Sequence, residues 1–179
     1  RNSTVGVNRV FRSLAYQLAD NKIASVRYDR IVSSYEVDDS RELIVEELQA
    51  ILKALKDDKV LEEHPIYLFG YGIGGYLMPY IANQVSSDGY IIANAPAENL
   101  AQGFYDEKIY LIDLDTSYDD EEKATKKKEA KATLDIINSL NSPSDYTRKL
   151  FGYNSSFWLE IKNYDALSLV KSIKKPVMV

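Results

Sequence analysis

The sequence predicts an α/β fold, a parallel sheet with helices on both faces. Three observations predict it. Helix-periodic and strand-like segments alternate along the chain. The strand candidates "IYLF" (66–69) and "YIIA" (90–93) are nearly continuous in apolar character, as strands buried on both faces are. Between them lies "LFGYGIGGYL" (68–77), where an apolar run stops at Gly70, four glycines fall within six residues, and an apolar helical stretch resumes.

The elements follow in order. Val10, Leu14, Ala15 and Leu18 recur at helical spacing, which predicts an amphipathic helix over residues 8–20. "DNK" breaks it, and "IASVRY" (23–28) follows as a short β-rich run. Asp39 and Glu42 have the spacing of a capping box. Ile44, Leu48, Ile51, Leu52 and Leu55 then form an apolar stripe, predicting a helix over 40–56. The strand at 66–69, the glycine turn, a helix to about Val85 and the strand at 90–93 come next. From residue 97 to 163 the pattern changes to a mostly helical insertion lying over the sheet. Within it "KIYLIDL" is readable as strand or buried helix. The run "DDEEKATKKKEAKATLDIINSL" (119–140) places acids in its first turn and lysines later, in favour of the helix dipole. Asp165 opens a short helix with Leu167, Val170 and Ile173, and "PVMV" begins another strand. Only three or four strands are visible, so the sheet is not finished by this stretch. The start at Arg1 and the stop at Val179 read as the cut ends of something longer.

Composition limits the chemistry. With 179 residues, 45% of them hydrophobic, the chain suits one domain with one core. A net charge of −5, with Lys126, Lys127 and Lys128 set among acids, argues against nucleic acid as a partner. The lysine cluster reads as a solvated helix face. There is no cysteine, so disulfides and thiolate catalysis are excluded, and the single histidine, His64, cannot build a His-rich metal site. No apolar run has the roughly 18 residues of a membrane span. Asp113 and Asp115 are paired carboxylates without a third ligand nearby. The 14 tyrosines and Trp158 read mainly as α/β interface residues. Asn2 and Asn154 match glycosylation sequons by pattern only.

The glycine turn has three readings. Gly70, Gly72 and Gly75 match the G-x-G-x-x-G dinucleotide fingerprint. That motif wants an acid at the end of the next strand, where this chain has Asn94. A phosphate-binding P-loop needs Gly-Lys-Ser/Thr, and the turn ends Gly-Gly-Tyr. The third reading is the nucleophile elbow G-x-S-x-G, with Gly70 and Gly74 as the outer glycines, small because strand and helix backbones pass close together. Its centre is Gly72. Glycine takes the strained elbow conformation without penalty but supplies no nucleophile.

Four segments carry a family resemblance in order. They are "LAYQLADNKIASVRYDR", "IYLFGYGIGGYLMPYIA", "GYIIANAPAENL" and "LFGYNSSFWLEIKNYDALSLVKSIKKPVMV". Together they resemble the α/β-hydrolase superfamily, specifically bacterial serine hydrolases of the esterase and acyl-peptidase-like branch. The resemblance spans nearly the whole chain. It implies one α/β-hydrolase domain over 1–179, with 97–163 as a helical lid, acting on a small ester or amide through an acyl-enzyme and needing no cofactor. The compartment does not follow from these residues; with no signal peptide visible the bacterial cytoplasm is favoured over export, which the missing N-terminus leaves open.

Carried over residue by residue, the resemblance puts Gly72 at the nucleophile position and Ile73 at the backbone N–H that follows it, an oxyanion donor. Tyr71 stands where the family usually has His and is a pocket-lining candidate. Asp29 falls in a structural turn. The acid and base of the family follow the strand beginning at Pro176, outside this sequence, so His64 does not match the base. "YDRIVSSYE" lacks the usual Gly-rich loop, which implies a missing or shortened loop between Arg30 and Ile31. Losing the serine of an intact triad costs on the order of 10⁶ in turnover, so the chain as written is expected to be inactive as a serine hydrolase. The alternative is a non-catalytic relative that binds a ligand or partner, as the N-myc downstream-regulated proteins lack the catalytic serine. A dinucleotide-binding enzyme is the third reading.

Overall fold

A computed structural model of the chain describes residues 4–5, 8–28, 41–145 and 148–179. The chain divides into two compact units, Arg1–Val37 and Asp38–Val179. In the first, two short antiparallel strands, β1 (Thr4–Val5) and β2 (Asn8–Arg9), lead into helix α1 (Val10–Asp20). Strands of two residues are too short to leave a periodic signal, and the sequence reading did not find them. α1 lies where Val10, Leu14, Ala15 and Leu18 predict it, with Ala15 buried. The run 23–28 takes no regular strand conformation, and Ile23 and Val26 are about half exposed. β propensity expresses itself only where a partner strand completes the ladder. Asp29, the Arg30–Ile31 loop and the Asp39 half of the capping box lie outside the described residues.

The second unit opens with α2 (Arg41–Lys56), whose Val45 and Leu52 are buried. β3 (Tyr67–Tyr71), β4 (Gly89–Ala93) and β5 (Val177–Met178) form a parallel sheet in that order. Tyr67 pairs with Gly89 through to Tyr71 with Ala93, and Tyr90 and Ile91 pair with Val177 and Met178. Parallel strands need crossovers, and helices α3 (Ile73–Tyr76) and α4 (Met78–Gln84) make the one between β3 and β4. Leu68, Tyr90, Ile92 and Val177 point into one core with Leu77, Ile81 and Val85. On the opposite face Tyr67, Phe69 and Tyr71 are about half exposed. The expectation of helices on both faces is therefore met on one face of the described sheet.

Between residues 97 and 163 most of the described residues are helical. α5 (Leu100–Leu114) takes in "KIYLIDL", which settles that stretch as helix, and Asn99 caps it by accepting from Ala101 and Gln102 N–H. α6 (Asp120–Ser139) starts at a capping box in which Asp119 and Glu122 each accept the other's backbone N–H. Leu134, Ile137 and Leu140 are all buried, as their spacing predicts. α7 (Ser155–Lys162) brings in Trp158, 1% exposed, whose indole N–H donates to the Leu150 carbonyl at 2.8 Å. Phe104, Phe151, Tyr153 and Phe157 surround that indole with ring centroids 5.2–6.3 Å away. α8 (Ala166–Val170) is capped by Asp165, which accepts from the Ser168 N–H.

Trp158 is the aromatic hub of this helical stretch, so Trp158→Ala is expected to cost about 3–5 kcal/mol. The measurement is urea unfolding, with a lower midpoint and a nearly unchanged slope.

Candidate active site

The glycine turn joins β3 to α3 in a single residue. Gly72 has φ 58° and ψ −120°, in the left-handed half of the map where side chains are strained. Its N–H donates to the Ala93 carbonyl at 3.1 Å, continuing the pairing with β4. Its carbonyl accepts from the Tyr76 N–H at 2.9 Å, beginning the helix. Gly72 is thus held from the sheet side and from the helix side. A Cβ built on it meets nothing within 4 Å. The backbone penalises a side chain at this point, while the space around it does not.

The neighbouring glycines have a different cause. A Cβ on Gly70 would lie 2.4 Å from the Gly74 carbonyl oxygen and 2.8 Å from the Gly75 nitrogen. One on Gly75 would lie 2.9 Å from the Ala95 Cβ and 3.1 Å from the Gly70 oxygen. Strand and helix backbones do pass close together, but the crowded pair is Gly70 and Gly75. A Cβ on Gly74 meets open space, so Gly74 contributes its carbonyl to the crossing and needs no small side chain.

Ile73 opens α3, so its N–H lies in the first turn and has no acceptor within the helix. Tyr71 ends β3, 47% exposed, and its hydroxyl accepts from Asn94 Nδ2 at 3.1 Å. Asn94, with φ 49°, directly follows β4 beside it, where the dinucleotide fingerprint wants an acid. Gly72, Ile73 and Tyr71 are consecutive and share one end of the sheet. His64 is exposed in the loop before β3. Asp113 pairs with Lys127 and Asp115 accepts from Ser117, so neither carboxylate faces a shared site. Among the described residues, no three His, Cys, Asp or Glu side chains are grouped to hold a metal ion, and no helix is long and apolar enough to cross a membrane.

Behind the turn lies a polar cluster that sequence reasoning did not find, because its members come from distant segments. Tyr76, 3% exposed, packs edge-on against Tyr164 with ring centroids 5.0 Å apart. The Tyr80 hydroxyl donates to Glu42 Oε1 at 3.2 Å. Arg41 places its guanidinium 4.8 Å from the Tyr80 ring and 5.8 Å from the Tyr164 ring. Its Nε is 3.5 Å from Glu160 Oε2, close enough for an ion pair although not aligned as a hydrogen bond. The same carboxylate oxygen accepts the Arg41 backbone N–H at 3.0 Å, satisfying a first-turn donor of α2. Burial pushes the Tyr164 hydroxyl up to about 12, and burial likewise raises Tyr76 and Tyr80.

Stability should separate Gly70, Gly72 and Gly74. Gly70→Ala is expected to cost about 3 kcal/mol or more, because backbone atoms stand in the way. Gly72→Ala should cost about 1–3 kcal/mol through its positive φ alone. Gly74→Ala, in a helix with free space, should be neutral or stabilising by up to about 1 kcal/mol. Urea midpoints rank them. A pH titration reports on Tyr164: an exposed tyrosine loses its proton near pH 10, so above that the unfolded chain releases it before the folded one does. Stability should therefore fall as pH rises from about 10 to 12, and less steeply in Tyr164→Phe.

No family model matches the chain, and no solved structure matches it. Esterase EstD of Thermotoga maritima is 26% identical to it over 186 residues, 99% of this chain and 41% of that esterase. The chain thus spans about two fifths of the length of the curated relative it matches. The similarity relates it to ester hydrolases.

Proposed function

We propose that the chain is part of an α/β-hydrolase of the bacterial esterase and acyl-peptidase-like branch, with a nucleophile elbow centred on Gly72 and residues 97–163 as its lid. The observation that carries this reading is the backbone of Gly72. It turns strand into helix in one residue at positive φ, and it leaves open space where a nucleophile's side chain would stand. The similarity to an esterase over almost the whole chain supports the same chemistry.

In that chemistry a serine oxygen at position 72 bonds the acyl carbon of a small ester or amide. The alcohol or amine leaves, and water then releases the acid. The negative charge that develops on the carbonyl oxygen needs N–H donors, and Ile73 supplies one from the first turn of α3. Tyr71 lines the acyl or leaving-group pocket beside it. With glycine at position 72 no acyl-enzyme forms, and the chain as it stands is inactive as a serine hydrolase. The glycine itself favours a second reading, a relative that binds an ester-like ligand without turning it over, because it relieves the strain that a serine would store.

The test is Gly72→Ser in the longest expressed form of the protein, assayed with p-nitrophenyl acetate and butyrate. A gain on the order of 10³ or more over the natural form is expected. A folded variant with no gain overturns the reading of Gly72 as a replaced nucleophile. Saturable binding of the same esters by both forms, without turnover, would favour the binding protein.

A further inference from the structure

The helix behind the elbow is interrupted. α3 stops at Tyr76, Leu77 separates the pieces, and α4 begins at Met78 with Pro79 in its first turn. Proline has no N–H, and its ring crowds the carbonyl one turn earlier, so regular helix fails there. In an uninterrupted helix the Tyr80 N–H would donate to the Tyr76 carbonyl, four residues back. A hydroxyl from a distant segment stands between them instead. The Tyr80 N–H donates to the Tyr164 hydroxyl at 3.3 Å, and that hydroxyl donates to the Tyr76 carbonyl at 2.9 Å. Side-chain insertion into the helical ladder is a known cause of kinks. The Tyr164 ring is held independently by its contact with Tyr76 and by Arg41, which Glu160 of α7 anchors.

We propose that Tyr164 is a positioning residue for the elbow. Its hydroxyl substitutes for the missing helical bond and sets the orientation of the short backbone segment that begins at Gly72 and Ile73. The route is short, because Tyr164 holds the Tyr76 carbonyl and the Tyr76 N–H holds the Gly72 carbonyl at 2.9 Å. Tyr164 comes two residues after α7 ends at Lys162, and 88 residues after Tyr76. The placement of the segment closing the insertion is thereby passed to the turn. The catalytic meaning of this role rests on the elbow reading above; the structural role does not.

Tyr164→Phe keeps the ring and removes only the hydroxyl. In the natural chain, nuclear magnetic resonance should show amide exchange at Tyr80 faster by about tenfold or more. The Gly72 and Ile73 amide resonances should shift, while that of Ala130, in α6, stays put. Changes confined to Tyr80 and the residues touching Tyr164 would overturn the proposal. A second variant, 4-aminophenylalanine at position 164, still donates to the Tyr76 carbonyl but accepts poorly from Tyr80. It should speed exchange at Tyr80 and leave Gly72 and Ile73 in place, and movement of both there would also overturn the proposal. In the Gly72→Ser background, Tyr164→Phe should lower kcat by about tenfold with KM little changed, and an unchanged kcat counts against the positioning role. An inactive Gly72→Ser parent defeats the hydrolase reading alone, since the amide resonances still decide the role of Tyr164.

Discussion

The close passage of Gly70 beneath the Gly74–Gly75 peptide is the constraint on which the second unit turns. A Cβ on Gly70 would sit 2.4–2.8 Å from three backbone atoms of that peptide, well inside van der Waals contact. Because that crossing is tight, β3 has one residue in which to become a helix, and Gly72 takes the positive φ that such a turn demands. The β4 pairing then pins the turn from below through the Ala93 carbonyl. Crossing, turn and ladder are one arrangement with three parts. Relaxing any of them moves the first N–H groups of α3.

The core behind the turn combines packing with a small number of buried polar contacts. Leu77, Ile81 and Val85 fill the space between the crossover helices and the sheet, while Tyr76, Tyr80 and Tyr164 carry hydroxyls into the same region. Each hydroxyl finds a partner, as buried polar groups must if they are not to cost stability. Tyr90 follows the same rule, its hydroxyl donating to the Val85 carbonyl at 2.7 Å. Arg41 draws α2 and α7 together through Glu160, and its planar cation lies between two aromatic faces. Tyrosine is well suited to this layer because its ring packs as an apolar group while its tip repairs interrupted backbone.

The helical stretch from α5 to α7 is organised differently. Its centre is an aromatic cluster around Trp158, and its edges are set by side-chain caps at Asn99 and Asp119. Phe151 accepts a positive φ of 45° before Gly152, closing the tight turn that returns Leu150 to Tyr153. That turn presents the Leu150 carbonyl to the Trp158 indole and stacks Phe151 on Phe104. The strain in the turn is offset by the ring contacts it creates.

Periodicity alone was enough to locate α1, α2, α6 and the strand–glycine–helix–strand unit, because each needs only its own residues to show a 3.6-residue or continuous apolar pattern. The alternation of those elements likewise determined the α/β class and the parallel sense of β3 and β4. Composition determined that cysteine chemistry is absent. The glycines of "LFGYGIGGYL" marked the turn, and the position of Gly72 within it was legible from spacing. What spacing did not distinguish was why each glycine is there. Gly70 answers to backbone contact, Gly75 to the Ala95 Cβ and the Gly70 carbonyl, Gly72 to its dihedral angles, and Gly74 to none of these, and these causes exist only once strand and helix cross. The run 23–28 had strand composition but joins no ladder among the described residues, and "KIYLIDL" had an apolar pattern common to both structures until packing made it α5. The Tyr164 bridge and the Arg41–Glu160 pair were invisible in sequence for the same reason. They join residues 84 and 119 positions apart, and only tertiary structure brings such groups within hydrogen-bonding distance.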